Sequence, residues 1–159
     1  MYEEIKKAIG RDPWINTINF SKDAFFSTLY RINQESNDFG VYWLFGHKMQ
    51  TKKDFYNVFS ASLQFPDYFN DNWDSFEECM FDLEWLKYKS RVIGIVESDK
   101  ILTQETYCER EIFFDVLKSI ISNYNSSFRE ISKKSTFFNI FLQCESLSMG
   151  EQIFPRIIL

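Results

Sequence analysis

The chain has 159 residues, 45% of them hydrophobic and 26% charged, which is enough for one compact domain with a real core and too little for two. Aromatic residues reach 19% against only 5 Gly and 3 Pro, which excludes a disordered or low-complexity chain, and no run of eighteen apolar residues lacks a charge, which excludes a helical membrane span. The net charge of −5 is unevenly spread: Phe65 to Leu86 holds seven acids and no Lys or Arg, so the rest of the chain sets 16 acids against 18 basic residues.

Met1-Tyr2-Glu3-Glu4 places acids where a signal peptide carries its basic region. Cys79, Cys108 and Cys144 are an odd number without C-x-x-C spacing, as suits reduced thiols in an apolar setting, so a cytoplasmic location is expected. Tyr2 to Ile9 reads as a short helix ended by Gly10, and Asp12-Pro13 interrupts the chain. Ser21 offers an N-cap, and Phe25, Phe26, Leu29, Tyr30 and Ile32 give the next helix an apolar face too large to leave in water. Residues 1–37 are thus expected to form a helical preface packed on the remainder.

The apolar run Phe39 to Phe45, closed by Gly46, reads as a strand buried on both faces, the habit of a central parallel strand. Thr51 and Asp54 have capping-box spacing, and Phe55, Val58, Phe59 and Leu63 follow at helical intervals, predicting a helix over 52–64 that Phe65-Pro66 ends. Val92 to Val96 predicts a second strand. Thr106 and Glu109 repeat the capping spacing before a helix with Ile112, Phe113, Val116, Leu117, Ile120 and Ile121 inward, ending at 123–127, and Phe137 to Leu142 predicts a third strand. Strands joined by helical crossovers pair in parallel. The expected fold class is α/β, a small three-stranded parallel sheet flanked by helices over 38–146, with the added helical segment over 1–37 and an unassigned tail over 147–159.

From Asn72 onward the acidic segment has helical periodicity: Trp73, Phe76, Met80 and Leu83 share one face, with Cys79 and Leu86 beside them. Asp74, Glu78 and Asp82 form a separate stripe at four-residue intervals, where like charges cost a few tenths of a kcal/mol per pair. Tyr68, in the loop just before, has the character of an interface anchor, rigid apolar area with a hydroxyl. A concentrated acidic patch on a near-neutral body attracts a basic protein partner and repels nucleic acid.

Other chemistry is poorly supplied. His47 is the single histidine, with no nucleophile constellation identifiable around it, and five scattered glycines make no phosphate loop. Asn70, Asn72 and Asp74 alternate like the opening of a calcium loop, but Ser75 occupies the glycine position and Phe81 that of the closing glutamate. No enzyme activity, metal or cofactor is expected.

The stretch Leu63-Gln64-Phe65-Pro66-Asp67-Tyr68-Phe69-Asn70-Asp71-Asn72-Trp73-Asp74, followed by an acidic helix, resembles the signature of the barstar family, intracellular protein inhibitors of secreted ribonucleases. The order of elements from about Asp38 to Glu145 is similar as well. The resemblance implies a non-enzymatic immunity or antitoxin-like inhibitor of a bacterial ribonuclease, with Tyr68 as aromatic contact, Asp74 as first acid and Glu78 as central acid, where the founding member has aspartate. Asn72, Glu77 and Asp82 complete the expected partner-binding set. Asn70 stands where the founding member has glycine and Glu77 where it has tryptophan, while Ser119 or Ser122 falls near a further acid of that member's last helix. The alternative expectation is a scaffold or regulatory domain that binds a non-nuclease partner through the preface or the tail.

Overall fold

Side-chain caps set where the helices begin. Ser21 accepts from the Ala24 N–H at the start of α2 (Lys22–Glu35), Thr51 from the Asp54 N–H at the start of α3 (Lys52–Leu63), and Asn72 from the Ser75 N–H at the start of α4 (Trp73–Asp82), each satisfying an otherwise unpaired donor. The computed structural model describes residues 1–131 and 136–145, with the backbone alone over 126–131. The remaining elements are α1 (Tyr2–Ala8), β1 (Ile15–Asn19), β2 (Gly40–Phe45), β3 (Arg91–Val96), α5 (Tyr107–Ile131) and β4 (Phe138–Cys144). The tail expected over 147–159 lies outside the described residues.

The strands form one sheet in the order β1-β4-β3-β2, parallel throughout. The sheet has four strands where three were expected, and the fourth lies within the segment expected to be helical. In β1 only Ile15 and Ile18 are aliphatic, three residues apart, so no alternation marks it as a strand. Asn16 and Thr17 are nonetheless buried, and Asn16 is accommodated by donating to the Pro13 carbonyl at 2.6 Å. The position of β2 also differs from expectation, at an edge and not at the centre. Its apolarity on both faces has another cause, since helices cover both faces of the sheet out to that edge: Trp43 meets Phe26 of α2 at 5.6 Å between ring centroids, while Leu44 belongs to the opposite core.

One face carries α3, α4 and α5 over Leu44, Ile93, Ile95, Phe138, Ile140 and Leu142. The other carries α1 and α2 over Ile18, Val41, Val92, Val96 and Phe141. The alternation along β3 and β4 is the two-residue period of a strand buried on both sides. Gly94 lets α2 approach, for a β-carbon there would lie 2.1 Å from Leu29 Cδ1.

The helix faces differ in detail from the periodicity. Tyr30 is 52% exposed and Ile112 39% exposed, leaving the inner side of α5 to Phe113, Phe114, Leu117, Ile120, Ile121 and Tyr124, with Val116 partly buried against them. Cys108 is exposed as well, unlike Cys79 and Cys144. α5 runs on to Ile131, past the end expected at 123–127. Asn125 does not break it because its Nδ2 donates to the Ile121 carbonyl at 2.9 Å and its Oδ1 accepts from the Phe138 N–H at 3.1 Å.

Candidate partner-binding face

The loop before α4 is pinned from the inside. Phe65 and Phe69 lie 5.0 Å apart between ring centroids, Phe69 meets Tyr56 of α3 at 5.7 Å, and the Phe69 N–H donates to the Pro66 carbonyl at 3.0 Å. With its neighbour anchored, Tyr68 is turned outward and is 50% exposed. Asn72 Oδ1 accepts from the Ser75 N–H at 2.9 Å, and the Ser75 hydroxyl accepts from the Asn70 N–H at 3.0 Å, tying the loop to the first turn of the helix. The role the structure shows for Asn72 is therefore that of a cap.

The rotation of α4 is fixed by what it buries. Phe76, Cys79 and Met80 are fully buried, and the Phe76 ring sits 5.0 Å from both Phe55 and Phe59 of α3. At the start of the helix, the Trp73 indole N–H donates to Glu109 Oε2 at 2.7 Å, and Lys52 Nζ lies 3.0 Å from Glu109 Oε1. These donors, the indole first, hold the Glu109 carboxyl below its usual range. At the other end the Leu83 carbonyl accepts from the buried Arg91 guanidinium at 2.6 Å.

With that face inside, Asp74, Glu78 and Asp82 are exposed and Glu77 is half-buried. Among the described residues none of these four carboxylates has a basic group within ion-pair distance, and the last turn of α4 holds no basic residue. Their repulsion is relieved at Asp74 by the positive end of the helix dipole and at Asp82 by the through-space field of the buried Arg91. Asp74, Glu77, Glu78 and Phe81 also line a depression of about 430 Å³ with Ile120 and Asn123 of α5. Phe81 is 42% exposed, an apolar element of this face that periodicity did not single out. Ser119, in the same stretch of α5, accepts from Asn123 Nδ2 at 3.5 Å.

Tyr68 belongs to the same face. Partial burial raises its phenol above the usual value, with Cys79, Asp82 and Glu78 adding to the effect, so the hydroxyl stays protonated and able to donate. Burial pushes the Cys79 thiol up to about 11, reinforced by Glu78 and Asp82, which makes it an inert core thiol. The structure thus brings Tyr68, Asp74, Glu77, Glu78 and Asp82 onto one surface. Lys52 and Arg91, which help hold that surface in place, carry no local signal, and Glu109 is marked only by its capping spacing from Thr106, because the partners of all three at this face are remote in sequence.

His47 lies elsewhere, after β2, with Nδ1 2.6 Å from Glu97 Oε2. Among the described residues no three His, Cys, Asp or Glu side chains are grouped to hold a metal ion, and no helix is long and apolar enough to cross a membrane.

A search of functionally curated proteins finds no match. The family described as Barstar (barnase inhibitor) matches residues 39–143, a span that starts just before β2, ends within β4 and includes the whole acidic face. That span is more than half of the chain, and the chain belongs to the barstar family.

Proposed function

We propose that this protein is an immunity or antitoxin-like inhibitor that closes the basic active site of a bacterial ribonuclease with α4, in the cytoplasm of the cell that makes it. The observation that carries the reading is the row of exposed carboxylates without basic partners on a helix whose opposite face is locked into the core. A row of this kind is kept at a cost to stability, and a cationic cleft relieves that cost. Asp74 and Glu78 accept charge-assisted hydrogen bonds from the Arg, Lys and His groups that otherwise hold substrate phosphate. Tyr68 covers the cleft, Glu77 and Asp82 extend the negative field, and Asn72 keeps the first turn in place. The mechanism is occlusion and calls on no catalytic group, metal or cofactor.

The test is inhibition of a panel of small basic bacterial ribonucleases by the wild-type protein and by an Asp74→Asn, Glu78→Gln double variant. Inhibition by the wild type falls as salt is raised and drops by orders of magnitude in the variant. Thermal stability of the variant stays level or rises slightly, because repulsion along α4 is relieved. Equal inhibition by both proteins sinks the proposed face.

A further inference from the structure

Arg91 is the one charged side chain that is fully buried among the described residues, 1% exposed at the start of β3. Its Nη2 donates to the Leu83 carbonyl at 2.6 Å, its Nη1 to the Tyr124 hydroxyl of α5 at 2.9 Å, and its Nε has no partner. The guanidinium carbon lies 5.7 Å from the centroid of the Tyr124 ring, and the Tyr124 hydroxyl in turn donates to the Lys89 carbonyl. No carboxylate lies within ion-pair distance of Arg91 among the described residues. A buried cation without an acid is costly, and an arginine cannot escape that cost by losing its proton.

What the cation faces is the C-terminal end of α4. Leu83 closes that helix in the left-handed conformation at φ 43°, and its carbonyl, which also accepts from the Leu86 N–H at 3.2 Å, stands at the negative end of the helix dipole. Asp82 adds its field on the same side. Helices commonly place Lys or Arg in their last turn to meet this charge, and α4 has none. A basic residue on its surface would neutralise the acidic row from outside, whereas Arg91 supplies the charge from beneath.

We infer that Arg91 is a positioning residue of the partner-binding face: reaching from β3, it clamps the end of α4 and sets the angle at which Glu78 and Asp82 are presented. The inference rests on the reading of α4 as the binding face. It assigns to one buried side chain the two tasks that a surface lysine could perform only at the expense of binding.

The experiment compares wild type with Arg91→Met and Arg91→Lys, reading amide hydrogen exchange residue by residue, thermal melting, and inhibition of whichever panel ribonuclease responds. In Arg91→Met the fold persists, exchange at Met80 to Leu83 rises at least tenfold over that of α3 and β3, and inhibition weakens at least tenfold. Arg91→Lys, which keeps the charge and one bond to Leu83, recovers part of both losses. Unchanged exchange at the end of α4 in Arg91→Met overturns the inference, as does exchange raised equally throughout the sheet. Loss of fold in both variants also overturns it, because the side chain then holds the core and not the helix. The exchange measurement needs no partner, so it scores the clamp even where no ribonuclease is inhibited and the function itself fails. Raised exchange with undiminished inhibition, in a protein that Glu78→Gln inactivates, leaves the face standing and removes Arg91 from its positioning.

Discussion

The two faces of the sheet are covered by unlike layers. On one, α3, α4 and α5 enclose a continuous set of rings: Phe55 lies within 5.3 Å, centroid to centroid, of Phe59, Trp73, Phe76 and Phe113. On the other, α1 and α2 cover a smaller core of Ile5, Ile18, Phe25, Leu29 and Ile32 over valines. Its outer edge is tied by Glu35, which takes bonds from Lys6 and Arg31 at 3.0 Å and from the Tyr2 hydroxyl. Rings interlocked at several angles resist rotation of a helix, and this layer carries the face proposed to bind. The second layer seals the sheet, and it is built largely by residues before the matched family segment.

That contrast breaks first if residues 1–37 are removed. The truncation deletes β1 and uncovers Val41, Val92, Val96 and Phe141, each contributing up to roughly 1.5–3 kcal/mol by burial. The shortened chain is expected to lose its cooperative melt in circular dichroism, and a native-like transition would show that the second layer is dispensable. Next in size is Phe76→Ala, which opens a cavity under α4 at a cost of about 3–5 kcal/mol. It is expected to lower the urea midpoint and loosen the binding face together, where Leu29→Ala on the other layer lowers the midpoint alone.

Glu109→Gln sharpens the comparison at smaller cost, about 1–2 kcal/mol, by weakening charge-assisted bonds to Trp73 and Lys52. Urea unfolding reads the loss, and Trp73 emission reports the loosened helix start. The smallest effect is in acid. The folded-state acidity of Glu35 is drawn down from 4.5 to about 2, by the Tyr2 hydroxyl first and then by Lys6 and Arg31. A carboxyl depressed in the folded state contributes fully above its unfolded value and loses that contribution as protons bind. Attachment of α1 is therefore constant from neutral pH to about 4.5 and weakens from there toward 2. Amide resonances of α1 that shift only above pH 6 would contradict this.

Legibility followed the range of each interaction. The starts of α2, α3 and α4 were readable because a cap and its recipient are three residues apart, and β2, β3 and β4 because apolar residues fill most of each run. β1 was not, since its run is short and mostly polar, and the burial of Asn16 and Thr17 accompanies pairing with β4, which is remote in sequence. The end of α5 was misplaced for the same reason: Asn125 is a helix breaker by composition and a helix-to-strand bracket by position. At the site, the acidic row and Tyr68 were visible as spacing, whereas Glu109 bonds Trp73 across 36 positions and Arg91 reaches back to close α4.

Asn125 has one more consequence. Its amide exchanges bonds with both the N–H and the carbonyl of Phe138, as a neighbouring strand residue would, at the first position of β4. Since β4 lies between β1 and β3, fixing that residue fixes the pairing register on both sides. A slip of one residue would turn Phe138, Ile140 and Leu142 from the ring-filled layer to the other. A single side chain from outside the sheet thus acts as the index mark from which the alignment of three strands is counted.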